Sequence, residues 1–216
     1  MSSHEISAAL ARPAAEVAPS LLGMQLVSDV SAQRVAIRIT EVEAYQGADD
    51  PASHAFRGRT ARTDVMFGPA GHLYCYFVYG MHWCANVVTG EPGDPGAVLV
   101  RAGVIVEGEQ FARARNPAAV KAVKLASGPA RLARALGLGA QHSGLDLLCD
   151  TAPVRLISAT SNPGSYECGP RVGVSSAAEI AWRFWLPGEQ SVSTYRLGTR
   201  AQRARPSSGR TQLTAQ

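Results

Sequence analysis

The chain of 216 residues is 46% hydrophobic and 18% charged, with a formal net charge of +4. Its length suits a single core, which typically stops growing at roughly 250–300 residues, and its composition excludes a disordered chain and a coiled coil. No run approaches the roughly 18 apolar residues of a membrane span, and the opening MSSHEISAALAR lacks the basic and apolar segments of a secretory signal, so a soluble, cytoplasmic protein is expected.

Residues 14–22 read as a short helix leading into a strand near 24–28, and RVAIRITEVEAY at 34–45 alternates as a strand. Residues 46–70 are irregular and rich in Gly, Pro, Asp and Arg, and loops of that length tend to be functional. Residues 72–88 form an apolar hairpin meeting near Gly80, and AVLVRAGVIV at 97–106 is a further strand. Helices follow near 107–115 and 128–136, the second opened by Ser127-Gly128-Pro129 as an N-cap with proline in its first turn. Strands near 153–158, 171–174 and 182–186 complete the series. The fold class expected is mixed α/β (α+β): one domain, 1–196, on a curved, largely antiparallel sheet with a protruding β-hairpin and surrounding helices. From 197 to 216 the chain is polar and arginine-rich, a basic tail expected to be disordered.

Nineteen arginines and two lysines, Lys121 and Lys124, supply the positive charge. They segregate. Residues 110–145 carry Arg113, Arg115, Lys121, Lys124, Arg131 and Arg134 with no acid, and Arg196, Arg200, Arg203, Arg205 and Arg210 follow Glu189 in the same way. A third basic stretch is HAFRGRTAR at 54–62. Clustered arginine is the footprint of a surface that meets phosphates. The four cysteines, 75, 84, 149 and 168, form no C-x-x-C pair, so no metal site is expected and they read as free thiols.

In the strand at 34–45 the odd positions are Val35, Ile37, Ile39, Glu41, Glu43 and Tyr45. Residues two apart share a face, so an apolar face is expected to end in two carboxylates and a tyrosine, beside a cleft. Acids at i and i+2 do not flank a sugar from opposite sides as paired glycosidase acids do. One acid activating water, with the other structural, fits better. The hairpin carries Tyr74, Tyr76, Phe77, Tyr79 and Trp83, and an aromatic at the tip, Tyr79, suits a wedge between bases.

These pieces, EVEAYQGADDPASHAFRGRT (41–60), MFGPAGHLYCYFVYGMHWCANVV (66–88), GAVLVRAG (96–103), LASGPARLARALG (125–137) and PRVGVSSAAEIAWRFW (170–185), resemble the alkyladenine (3-methyladenine) DNA glycosylases of the mammalian type, which also occur in bacteria. The resemblance runs from about residue 8 to 195. It implies that Glu43 activates the water that attacks the sugar C1′. Tyr45 and His54 would enclose a flipped base, with Tyr76 stacking on its other side. Tyr79 would enter the DNA in place of the extruded nucleotide, and Asn86 would crowd the exocyclic amino group of guanine. Arg101 falls on a pocket arginine, and Arg59 and Thr60 fall in a phosphate-contacting loop. That loop is one residue shorter than in mammalian members, and His82 and Trp83 replace other aromatics.

The partner implied is double-stranded DNA containing damaged purines, met by a monomer without cofactor, metal or membrane. With only two lysines, a Schiff-base lyase step is not expected. A nucleoside hydrolase and a non-catalytic DNA-binding module are the competing readings. The basic clusters and tip tyrosine disfavour the first, and Glu43 disfavours the second. One geometric expectation follows. Tyr76 and Asn86 share a face only if the hairpin pairs positions summing to 160, which requires an odd-length turn or a bulge near Gly80. Cys75 and Cys84 then lie on opposite faces, unbridged.

Overall fold

The computed structural model describes residues 3–78, 80–118, 121–159 and 164–198. Two short helices, α1 (Ser3–Leu10) and α2 (Ala14–Val17), precede the strands β1 (Gln25–Ser28) and β2 (Val35–Tyr45). The hairpin β3 (Leu73–Val78) and β4 (His82–Thr89) leads to β5 (Gly96–Glu107), then to α3 (Glu109–Arg115) and α4 (Pro129–Ala135). Strands β6 (Val154–Ile157), β7 (Glu167–Gly169) and β8 (Arg183–Trp185) follow. The expected α+β class, single domain and antiparallel sheet are therefore present.

The sheet has the order β3-β4-β5-β2-β1-β6, with β8 on β2 and β7 on β8, and every pairing among the described strands is antiparallel. Strand β2 is its spine. One edge pairs with β5 throughout, while the other pairs first with β1 and then, at Glu41–Glu43, with β8.

The register between β2 and β5 slips at three places, once between Ala36 and Ile37 and twice around Glu41, and the two around Glu41 cancel. Ile39 faces Gly103 and Glu41 faces Ala102, so Thr40 is an extra residue on β2; Val42 faces Val100, so Arg101 is an extra residue on β5. A bulge exchanges the faces of the residues beyond it. Val35, Ile37 and Ile39 enter the main core, but so do Val42 and Ala44. Glu41, Glu43 and Tyr45 consequently lie on the opposite side of the sheet. This corrects the expectation of a single face running from Val35 to Tyr45: strict alternation fails at Thr40.

The main core fills one side of the sheet under the helices. Leu132 and Leu136 at the i and i+4 positions of the α4 turn are fully buried there, each contributing roughly 2 kcal/mol. On the other side a smaller cluster of Ala55, Met66, Tyr74, Val88 and Ala97 sits beside an open cavity.

Several local readings change. The segment near 171–174 is not a strand; β7 lies at 167–169, and the Arg171 and Val172 donors go to Asp50 and Glu43 instead of a ladder. Gly128, at φ +93°, is the N-cap of α4, Ser127 lies before it, and Pro129 holds the first turn. Residues 46–70 contain three short 3-10 turns, and α1 is an element the sequence reading does not include. The basic stretch 110–145 is partly structural. Arg115 donates to the carbonyls of Ala135, Val30 and Gln33, tying down the end of α4. The tail expected at 197–216 lies, from 199 onward, outside the described residues, while Gly198 is buried against the Val174 backbone.

Candidate active site

The hairpin register places one wall. Tyr74 faces Asn86, Tyr76 faces Cys84 and Val78 faces His82, pairs that all sum to 160. Three residues, 79–81, join the strands, Gly80 takes φ +66°, and the Met81 N–H donates to the Val78 carbonyl at 3.2 Å. The odd-length turn is borne out. Tyr74, Tyr76, Cys84 and Asn86 share the cavity face, while Cys75 packs into the core on the other side and both thiols are free. Burial pushes the Cys75 thiol up to about 12, so it stays protonated. Tyr79 lies outside the described residues.

These side chains, with Tyr45, His54, Leu99, Arg101 and Val172, line a cavity of about 620 Å³. That is the size of a small-molecule site. His54 stands edge-on to Tyr76, with ring centres 4.4 Å apart and planes at 86°, and its Nδ1 lies 3.2 Å from the Tyr74 hydroxyl. One edge of His54 is exposed, but partial burial against Tyr74 and Tyr76, assisted by the positive charge of Arg62, lowers its pKa to about 4. Its ring is therefore neutral at neutral pH. The Asn86 side-chain amide donates to the Tyr74 carbonyl at 2.9 Å, which fixes its orientation in the wall.

Glu41 and Glu43 are fully buried and share Arg101, which spans them from the Nε side (3.1 Å to Glu41) and the Nη1 side (3.2 Å to Glu43). Their other partners separate them. Glu41 Oε1 also accepts from Arg183 Nε at 2.7 Å and the Ser193 hydroxyl at 2.8 Å, and its Oε2 accepts the Ser193 N–H at 2.7 Å. Glu41 thus takes four donors, three on Oε1 and one on Oε2. Glu43 receives three: the Tyr45 hydroxyl (2.9 Å) and Arg101 on Oε2, and the Val172 N–H (2.6 Å) on Oε1. Among the described residues Oε1 has this single donor, which leaves it an acceptor position. Tyr45, Arg101 and Val172 all line the cavity, so the Glu43 carboxylate sits directly behind its wall.

Burial, and then the Glu43 charge, push the Tyr45 phenol well above its ordinary value, so it remains a donor to Glu43. Burial works against the Arg101 charge, but Glu43 and Glu41 outweigh it and raise its pKa. Two carboxylates and the guanidiniums of Arg101 and Arg183 form a neutral buried cluster, the condition under which such charges are tolerated.

Residues 8–190 match the profile of the family described as Methylpurine-DNA glycosylase (MPG). The chain belongs to that family. A Streptomyces avermitilis protein named as a 3-methyladenine DNA glycosylase is 48% identical over 192 residues, covering 88% of this chain and 90% of its own. A Nocardia farcinica protein of the same name is 50% identical over 187 residues, covering 84% and 86%. One from Mycobacterium tuberculosis is 45% identical over 182 residues, covering 82% and 88%.

Tyr45, His54, Tyr76, Asn86 and Arg101 line one cavity, with Glu43 behind its wall. Arg59 and Thr60 stand apart from it. Arg59 pairs with Asp64 at 3.0 Å and lies over the Phe67 ring, and the Thr60 N–H and hydroxyl both meet Thr63 Oγ1 at 2.9 Å. The Arg59–Asp64 pair is exposed and therefore weak.

Four contributors escape the sequence reading: Ser193, which meets both Glu41 and Arg101; Arg183, paired with Glu41; Val172, through its backbone; and Arg171, paired with Asp50. None carries a local signal, because each partner lies more than a hundred residues away or, for Arg101, 92 residues away. Among the described residues no group of three His, Cys, Asp or Glu side chains is placed to hold a metal, and no helix is long and apolar enough to cross a membrane.

Proposed function

We propose that this protein is a monofunctional DNA N-glycosylase of base excision repair. It flips damaged purines of the 3-methyladenine, 7-methylguanine, hypoxanthine and ethenoadenine class out of duplex DNA and hydrolyses the N-glycosidic bond, leaving an abasic site. Family membership supports DNA as the substrate and N-glycosyl hydrolysis as the reaction class. The observation that carries the mechanism is the unequal surroundings of the two acids. Glu41 takes four donors from Arg101, Arg183 and Ser193, while Glu43 takes three, all from residues that line the cavity, and keeps an acceptor position for a water behind its wall.

In this reading Glu43 takes the proton of that water as it attacks C1′, and its negative charge stabilises the oxocarbenium-like sugar. An alkylated purine is already cationic and leaves readily. His54 and Tyr76 are in contact, so a base enclosed by the three rings lies between that pair and Tyr45 rather than between His54 and Tyr76. Asn86, oriented by Tyr74, closes the edge where guanine would place its amino group. Tyr79 fills the gap left in the stack, as flipping enzymes commonly require. Lys121 and Lys124 do not line the cavity, which supports direct hydrolysis without a Schiff base. The protein acts as a monomer. The test is base release from duplexes carrying each of the four lesions, followed by alkaline cleavage. Strand breaks at lesions after alkali, and none without it, are expected; intact strands after alkali for all four would overturn the reading.

A further inference from the structure

Behind the Tyr45 wall lies an ion pair that hydrolysis does not use. The side chains of Arg171 and Asp50 are both fully buried, joined by Nη1–Oδ2 at 2.5 Å and Nη2–Oδ1 at 2.9 Å. Arg171 Nη1 also donates to the carbonyl of Ala44, the residue between Glu43 and Tyr45, at 2.9 Å. Its guanidinium lies over the Tyr45 ring at 4.7 Å and the Trp182 ring at 5.2 Å. Asp50 in turn accepts the backbone N–H groups of Gln46 and Ala52, at 3.3 and 3.0 Å, which shapes the turn that delivers His54. The residue after Arg171 is Val172, whose N–H holds Glu43 Oε1.

One guanidinium thus reaches the aromatic wall, the loop of His54 and a donor to Glu43. Its Nε, buried, has no hydrogen-bond partner among the described residues. A pair kept only to hold the fold gains nothing over apolar residues of the same volume, which commonly do as well or better, and an unsatisfied buried N–H makes the exchange more favourable still. We propose that Arg171 and Asp50 are positioning residues that hold Tyr45, the His54 loop and the Val172 amide in the geometry that Glu43 requires. The proposal rests on the glycosylase reading for its rate effect and on geometry alone for its structural effect.

The two are separable in one set of proteins: wild type, Arg171→Met, Asp50→Leu and the double variant. Urea unfolding, amide hydrogen exchange and single-turnover excision of hypoxanthine from duplex DNA are measured on each. Each single variant leaves a buried charge and loses stability. The double variant is expected to recover the wild-type midpoint and to keep its core strand amides protected. It should nevertheless lose protection at Ala52 and Val172, and its single-turnover rate at saturating enzyme should fall about 100-fold, the scale of a small misplacement. Recovery of stability together with wild-type exchange at Ala52 and Val172 and a wild-type rate would overturn the proposal. If wild type excises nothing from any lesion, the glycosylase reading falls, and exchange at those two amides alone decides the positioning role. Should the double variant not fold, Arg171→Lys carries the same comparison, because lysine keeps the charge without the two-pronged, stacked geometry.

Discussion

Glu41 and Glu43 stand two residues apart on one strand, equally buried, yet one takes four donors from Arg101, Arg183 and Ser193 and the other three from residues that line the cavity. Replacing Glu41 by glutamine leaves Arg101 and Arg183 short of a negative partner in a dry site, which typically costs about 3–5 kcal/mol. A correspondingly lower urea midpoint is expected; an unchanged midpoint would mean that Glu41 does not anchor the cluster. His54 provides a second test. Its folded pKa near 4 lies below its ordinary 6.5, so the unfolded chain binds the proton first. The neutral ring therefore contributes its stability in full above about pH 6.5, and that contribution is lost as the pH falls through 4. An NMR titration of the His54 ring should show a midpoint near 4, and a midpoint at 6.5 would remove it from the packed wall.

At the scale of elements, the β3–β4 hairpin decides which side chains face the cavity. Asn86 shares the cavity face because the register sums to 160, and a slip of one residue would turn it into the core. Asn86→Ser is expected to relax the exclusion of guanine and raise the release of free guanine from unmodified duplex; unchanged release would free Asn86 of that role. This register is legible because alternation has a strict period and the family resemblance implies a common facing for Tyr76 and Asn86. The face of the acids is legible only in part. The pattern of residues 34–45 identifies the strand and singles out Glu41, Glu43 and Tyr45, but the extra residues at Thr40 and Arg101 carry no mark in the sequence, so strict alternation assigns the acids to the wrong side of the sheet. Ser193, Arg183, Val172 and Arg171 are invisible for a different reason: their roles are set by partners brought close only by the chain's long-range path.

Across the whole molecule the sheet divides the labour. One side is packed beneath the helices, and the other holds a cavity backed by neutralised charge. Some cations of the sequence clusters are engaged within the fold, as Arg115 is with backbone carbonyls, and Arg200, Arg203, Arg205 and Arg210 form the basic cluster of the tail. Removing residues 199–216 is expected to flatten the salt dependence of duplex binding, by about 0.9 in slope for each phosphate that the tail neutralises. The single-turnover rate of bound lesion should not change; a slower rate would place those residues in the site. The central claim is that the open acceptor position of Glu43 holds the attacking water. Single-turnover excision by Glu43→Gln tests it most directly, since glutamine preserves the volume but takes no proton at neutral pH. Lesion binding near that of wild type with excision reduced by orders of magnitude is predicted, and excision at a near-normal rate would contradict the account.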